Sequence, residues 1–397
     1  MDQTAIDKPE LVVFSQNAIG GVQSYYYNLL MNDAGNQFDK VWILTDDYFN
    51  NNPRPLKSYD TGFEKVFYYR SDTPQFNYLK ELEQFVSNKP GVVLASFPLE
   101  LMVMHVYRKK NKVIGFVCHD EYFVQFAKQY DFLIDFFIVH NPVFYTRLKE
   151  LLPPRSNDIY YLPYGIKLPK ESNTLNLIRP LRIIVIARMQ NTKGVLDIPL
   201  IAEGLKQRGI PFELTIVGDG PEKDKVRKLL NHFPEVNFQV PPTFSELIAL
   251  IKNHDIFLLP SYLDGMPVSL METMSCGLVP ILSDFNEGIK QIITSDKGFV
   301  LPKGDINAFV LAIGKLHEDR SLLESYRKAS LAYAIEQFDA EIRAKEYYQL
   351  FTQFHRLRKK TRFKYISYGP LINHPKVPEW LRKNYYRAIT LKKQLWR

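Results

Sequence analysis

"DIFLLPSYLDGMPVSLMETMSCG", residues 255–277, decides the fold. Asp255 to Leu259 is a short apolar run of strand composition, and a loop containing Pro260, Gly265 and Pro267 follows it. A helix is predicted from near Pro267 through Met274 to Gly277, with proline early and glycine late, as helix ends prefer. A strand that turns directly into a helix is one unit of a parallel α/β sheet, and such sheets bind ligands at the carboxyl ends of their strands. Asp264 and Glu272 stand eight positions apart at that place. Two readings are open. Ser269 with Glu272 has the spacing of a capping box, which leaves Asp264 as a solvated loop acid. Alternatively, backbone N–H groups at the helix start hold an anion while the carboxylates take hydroxyls of the same ligand.

The same unit recurs on both sides. Short apolar runs alternate with helical patterns at Leu11–Phe14, Val41–Leu44, Val92–Ala95, Val113–Val117 and Phe136–Val139. They alternate again at Ile183–Ala187, Phe212–Val217, Asp255–Leu259 and Val279–Leu282, and from Asp305 onward the pattern is helical. The polar, proline-punctuated stretch from Tyr164 to Pro180 reads as a linker. The expectation is therefore two doubly wound α/β domains, residues 1–170 and 171–345, facing across a cleft, with residues 346–397 as C-terminal helices and tail.

Other strand ends carry chemistry of the same kind. "IARMQNTKG" places Arg188 and Lys193 five residues apart after an apolar run, a spacing that lets two cations converge on a diphosphate. Each alone is an ordinary surface charge. "LTIVGDGPE" has Gly218 and Gly220 but Lys223 where a dinucleotide fingerprint needs its third glycine, which argues against a nicotinamide or flavin site. Gly20 and Gly21 open a helix after the first run and allow a ligand close to the backbone. His119 and Asp120 end the run "IGFVC" at the same edge of the sheet. The sequence offers no D-x-D pair, Cys/His cluster or H-E-x-x-H, hence no metal site.

These residues together resemble the retaining glycosyltransferases of the GT-B fold, family 4, over roughly residues 10–350. The family's E-x7-E motif is similar to "PSYLDGMPVSLMETMSCGLVPI", and the glycine turn, "HD" at 119–120, "LPYGI" at 162–166, the R-x4-K-G of Arg188–Gly194 and "IVGDGP" at 216–221 match in order. The resemblance implies a transferase that takes a nucleotide sugar, a UDP-sugar by preference, as co-substrate. It implies no cofactor and no metal, because Arg188 and Lys193 neutralise the departing diphosphate. Glu272 would accept from ribose hydroxyls, and Asp264, Gly265, Met266, Pro267 and Val268 would hold the donor sugar. Gly20 and Gly21 would admit the phosphates, and His119 would meet the sugar beside its reacting carbon. Asp264 and His119 are thus the implied catalytic pair. Retention of configuration would follow from acceptor attack on the face the diphosphate leaves. One departure is Asp264, where the family has Glu. Another is the loop "VPPTFSE", Val240–Glu246, where the family has a glycine turn near the base.

Charge adds a further expectation. Residues 356–397 hold thirteen lysines and arginines against one acid, a net +12, so the rest of the chain contributes −4 to the total of +8. Apolar Leu381, Tyr385, Ile389 and Trp396 fall near helical spacing among these cations, which suits an interfacial helix on anionic lipid. A helix packed back over the first domain is the alternative. The start is polar and acidic and no apolar run reaches the ~20 residues of a spanning helix, so the expected place is the cytoplasm, peripheral at the inner membrane face. Two cysteines, Cys118 and Cys276, exclude a disulfide framework. The leading expectation is a glycosyltransferase acting on a glycan or lipid-linked acceptor in bacterial cell-surface polysaccharide or lipopolysaccharide synthesis. The alternative is a catalytically weak nucleotide-sugar-binding member of an assembly complex. Nucleic-acid binding is disfavoured by the acidic balance of residues 1–355.

Overall fold

A computed structural model describes residues 8–48 and 61–357, apart from residues 19, 72, 74, 108–110, 170–179 and 242, together with scattered positions between 377 and 387. Seven strands form the first sheet: β1 (Glu10–Gln16), β2 (Asp39–Asp47), β3 (Glu64–Tyr69), β4 (Gly91–Ala95), β5 (Lys112–Cys118), β6 (Phe136–Val139) and β7 (Ile159–Tyr161). Six form the second: β8 (Leu181–Ile186), β9 (Phe212–Val217), β10 (Val236–Gln239), β11 (Ile256–Leu259), β12 (Val279–Ser283) and β13 (Phe299–Leu301). All pairings are parallel, in the orders β3-β2-β1-β4-β5-β6-β7 and β10-β9-β8-β11-β12-β13. Each order reverses once, between β1 and β4 and between β8 and β11, and a crevice opens beyond the carboxyl ends at such a reversal.

Both faces of each sheet are buried, so the interior strands are apolar throughout. Along β1, Leu11 and Val13 face one core while Val12 and Phe14 face another. Along β8, Leu181, Ile183 and Val185 face a third core and Ile184 joins the first. That shared core runs from Val13 and Leu44 through Phe257 to Tyr347 and Phe351, and so ties the two domains together.

The tie is made by the helix Ala340–Phe351, which returns to the first domain. Asp339 caps it through Glu341 and Ile342 N–H groups, and Ile166 exchanges backbone bonds with Phe338 and Ala340 at 2.7 and 3.0 Å. Tyr347 Oη donates to Leu162 O at 2.8 Å, and Tyr348 Oη to Leu29 O at 3.2 Å. Gly165 lies where a Cβ would stand 2.8 Å from Ala340 Cα, so the crossing needs a glycine. The stretch read as a linker is thus structured at Ile166, while residues 170–179 lie outside the description.

All nine apolar runs read from the sequence are strands, extended at either end by one to three residues or unchanged apart from two single-residue trims. Four strands were not expected, β3, β7, β10 and β13. Both cysteines are buried free thiols, and burial pushes each thiol pKa up. No helix among the described residues is long and apolar enough to cross a membrane.

Candidate active site

The loop after β8 carries Arg188 and Lys193, and glycines fix its shape from two sides. Gly218 and Gly220 have φ near +150°, and a Cβ on either would stand 1.9 Å from Ala187 O or 2.5 Å from Met189 O. Met189 N–H donates to Asp219 O at 2.8 Å and Glu222 N–H to Met189 O at 2.9 Å. The G-D-G run therefore serves close backbone approach to the Arg188 loop, a role that needs no third glycine. On the other side Gly194 has φ +64°, and a Cβ there would be 1.8 Å from Pro260 O. Tyr262 and Leu263 N–H groups both reach Thr192 O, at 2.9 and 3.1 Å. The cation loop and the loop after β11 are consequently one stitched unit.

Within it Lys193 Nζ lies 2.6 Å from Asp264 Oδ2, with side chains 21 % and 14 % exposed. Arg188 is exposed, and its guanidinium makes no contact of this kind among the described residues. Asp264 Oδ1 accepts from Gly265 N–H at 3.0 Å. Asn286 Nδ2 donates to the carbonyls of Asp264 and Gly265, at 3.0 and 2.7 Å, and so holds the turn from beneath.

The helix after this turn runs Val268–Ser275, with Pro267 as N-cap and no side chain capping its first turn. This corrects the capping-box reading, because Ser269 is already inside the helix. Glu272 sits on the buried side among Leu270, Met271 and Met274. The residue is 5 % exposed, and its carboxyl makes no hydrogen bond or ion pair among the described residues and is pushed by burial alone up to about 8.

The first domain meets this unit with three loops. Gly21 begins the helix Gly21–Met31, which also lacks a side-chain cap, and a Cβ on Gly21 would stand 3.0 Å from Val268 Cγ2. Two uncapped helix starts therefore face one another across the domain boundary. After β5, His119 O lies where a Cβ on Gly265 would come within 2.3 Å, and Asp120 Cβ within 3.0 Å. Gly265 is thus required by the contact between domains. Asp120 Oδ1 caps the helix Glu121–Gln129 through Tyr122 N–H at 2.8 Å. Burial raises its pKa, Asp264 adds to the rise, and Lys193 opposes it. After β6, Asn141 caps the helix Pro142–Leu151 and reaches Asn286 Oδ1 at 3.4 Å.

His119 itself is turned inward. Its Nε2 is 3.0 Å from Ser96 Oγ and its Nδ1 2.8 Å from Tyr164 Oη, while Ser96 Oγ also meets Tyr26 Oη at 3.1 Å. Burial, with His140 adding to it, holds this imidazole far below its ordinary pKa, so it is neutral. In this arrangement both ring nitrogens are used inside the first domain, and the group presented to Gly265 is the His119 carbonyl. Ser96 is held by Glu100, whose Oε2 accepts its N–H at 2.7 Å and whose carboxyl burial pushes up to about 8.

Residues 171–332 match the family model described as glycosyl transferases group 1. All the cations and carboxylates of the second domain described above lie within these residues. The putative colanic acid biosynthesis glycosyltransferase WcaL of Escherichia coli K12 is 33 % identical over 139 residues, 32 % of this chain and 34 % of that protein. The amylovoran biosynthesis glycosyltransferase AmsK of Erwinia amylovora is 33 % identical over 162 residues, 36 % of this chain and 37 % of that protein. The chain thus spans about a third of the length of the curated relatives it matches. Among solved structures, Anabaena HepE in complex with UDP and glucose superposes with TM-score 0.71 at 13 % identity, covering 86 % of this chain and 99 % of that one. The fold is GT-B, two parallel α/β domains facing across the contact just described.

The second domain brings Arg188, Lys193, Asp264, Gly265, Met266, Pro267 and Val268 to one stitched loop pair, with Glu272 one turn deeper. Gly21 and the His119 carbonyl face it from the first domain, whereas the His119 ring does not, and Gly20 is the N-cap of the Gly21–Met31 helix. The sequence did not point to Asn286, Ser96 or Tyr26, which hold the turn and the imidazole. Tyr164 stood in the quoted "LPYGI" without a role. The basic segment 356–397 lies almost wholly outside the described residues. Of its helical positions, Trp380, Leu381 and Tyr385 are exposed.

Proposed function

We propose that this protein transfers a sugar, with retention of configuration, from a nucleoside-diphosphate sugar to a glycan or lipid-linked glycan in cell-surface polysaccharide synthesis. One observation carries the reading: the uncapped helix starts at Gly21 and Val268 meet across the domain boundary, and the loop leading into the second of them holds Asp264, paired with Lys193. Helix starts are partially positive, so bringing two of them together near a cation favours an anion bound beside them. A diphosphate has the charge for that place.

In this scheme Arg188 and Lys193 take the charge that develops as the diphosphate departs, so the step is written with no metal ion. Glu272, buried and unpartnered, accepts from ribose hydroxyls. Asp264 and the backbone of Gly265–Val268 hold the sugar. His119 is a positioning residue that fixes the loop facing Gly265, and the acceptor enters from the first domain. Acceptor attack on the departing face needs no protein nucleophile, since a phosphate oxygen takes the acceptor proton. UDP is the preferred base because HepE was solved with UDP and glucose. The relatives named for colanic acid and amylovoran biosynthesis support a polysaccharide product. The basic segment 356–397 serves an anionic membrane surface at the cytoplasmic face.

Thermal unfolding with UDP, GDP and ADP tests the donor site. A ligand at about 100 times its dissociation constant adds roughly 2.7 kcal/mol. The expected result is a shift with one of the three that Arg188→Ala abolishes; no shift with any of them refutes the donor site.

A further inference from the structure

The two cations of the donor loop are not equivalent. Arg188 is exposed and unpaired among the described residues, whereas Lys193 is already neutralised at 2.6 Å by Asp264. Both partners of that pair are fixed by backbone. Gly194 locks Lys193 against Pro260, the Thr192 carbonyl takes two N–H groups from the 260–264 loop, and Asn286 holds the Asp264 carbonyl at 3.0 Å. A second carboxylate, Asp120, faces the pair from the first domain. The pair is therefore a built element of the site.

We infer that Asp264 is an internal counter-ion that the donor diphosphate must displace from Lys193, and that its displaced carboxylate then becomes available to the hydroxyls of the donor sugar. The inference rests on the donor reading above. In the free protein Asp264 competes with phosphate for one ammonium, so a diphosphate without a sugar meets an internal rival and gains nothing from Asp264. A nucleotide sugar recovers the loss, because the freed carboxylate finds hydroxyl donors. Asp264 thus favours the intact donor over the spent nucleotide, which promotes product release. Asp, shorter than Glu by one methylene, keeps its carboxylate on the loop that also carries the Lys193 contact.

The sign of one substitution separates this from a purely sugar-holding or structural role. Isothermal titration of UDP, GDP and ADP into the full chain is compared for wild type, Asp264→Asn, and Asp264→Asn combined with Lys193→Ala. Asn keeps the acceptor oxygen for Gly265 N–H and removes the charge. A partly buried ion pair corresponds to about a fivefold change in apparent affinity. The expected result is that Asp264→Asn binds the nucleoside diphosphate about fivefold tighter than wild type, that the double variant loses this gain, and that sugar transfer falls. Equal or weaker binding by a folded Asp264→Asn overturns the inference and leaves the donor site standing. Binding by Asp264→Asn alone, with none by wild type, also supports it. Absence of binding by both proteins overturns the inference and the donor reading together.

Discussion

Replacing Glu272 with Gln has an effect whose sign runs against the usual behaviour of a buried charge. Burial raises this carboxyl from its ordinary 4.5 to about 8, and no partner among the described residues opposes the rise. In the unfolded chain the group loses its proton near 4.5, so between pH 4.5 and 8 the native state holds a proton that the unfolded state does not. Stability supplied by the protonated acid is complete below 4.5 and is lost as pH climbs toward 8. The slope is about 1.36 kcal/mol per pH unit, or about 2.7 kcal/mol between pH 5 and pH 7. Gln has the same shape and does not titrate. Urea unfolding of both proteins at pH 5, 6, 7 and 8 isolates the term, since Glu100, also pushed to about 8, is common to both and cancels. The wild type should lose about 2.7 kcal/mol more than the variant from pH 5 to 7. Parallel pH profiles would show that the carboxyl is solvated or paired, and would remove the argument that it waits for a ligand. Ribose hydroxyls stabilise the ionised form, so saturating nucleotide should flatten the wild-type slope.

Three further outcomes follow from the geometry. Gly194→Ala places a side chain at φ +64° and a Cβ 1.8 Å from Pro260 O; urea unfolding should register a loss of at least about 2 kcal/mol, and nucleotide affinity should fall with it. Arg188→Ala removes an exposed, unpaired cation, so unfolding should move by no more than about 0.5 kcal/mol while calorimetry records at least a tenfold loss of diphosphate affinity. Gly265→Ala drives a Cβ to 2.3 Å from His119 O; small-angle scattering should report a more open pair of domains, and transfer should drop even where each domain stays folded.

The legibility of this fold in its sequence follows a physical boundary. The nine strands read in advance are flanked on both sides by other strands and buried on both faces, so each is a continuous apolar run. The four that escaped, β3, β7, β10 and β13, are the four sheet edges. Val236–Gln239 and Phe299–Leu301 contain no fully buried residue, and Glu64–Tyr69 contains one, so no unbroken apolar signal marks them. The positions of Arg188, Lys193 and Asp264 were legible because loops at strand ends are local in sequence. The residues that hold them were not: His119 meets Ser96 and Tyr164 across 23 and 45 positions, and Asn286 reaches back 22 to the Asp264 carbonyl. Only the fold brings those together.

Glu272 shows how a spacing pattern misleads when burial is unknown. S-x-x-E at Ser269–Glu272 is the signature of a cap, yet the helix begins one residue earlier at Val268, and the carboxyl turns inward. The sequence does carry the correcting signal. Leu270, Met271 and Met274 surround Glu272 on the strongly apolar stretch between Met266 and Leu282, and a capping residue belongs at a wet helix end. An ionised acid in such a stretch needs either a cation or a ligand, and the cations of this loop pair are elsewhere: Lys193 on Asp264, Arg188 in solvent. The G-D-G run obeys the same logic in reverse. Its glycines match two thirds of a phosphate-binding fingerprint, but the backbone of the Arg188 loop lies where a Cβ on each would stand, so they serve the packing of that loop. The glycines of this domain therefore shape the neighbouring loop, where they hold Arg188 and Lys193 in place and leave Arg188 without a partner among the described residues.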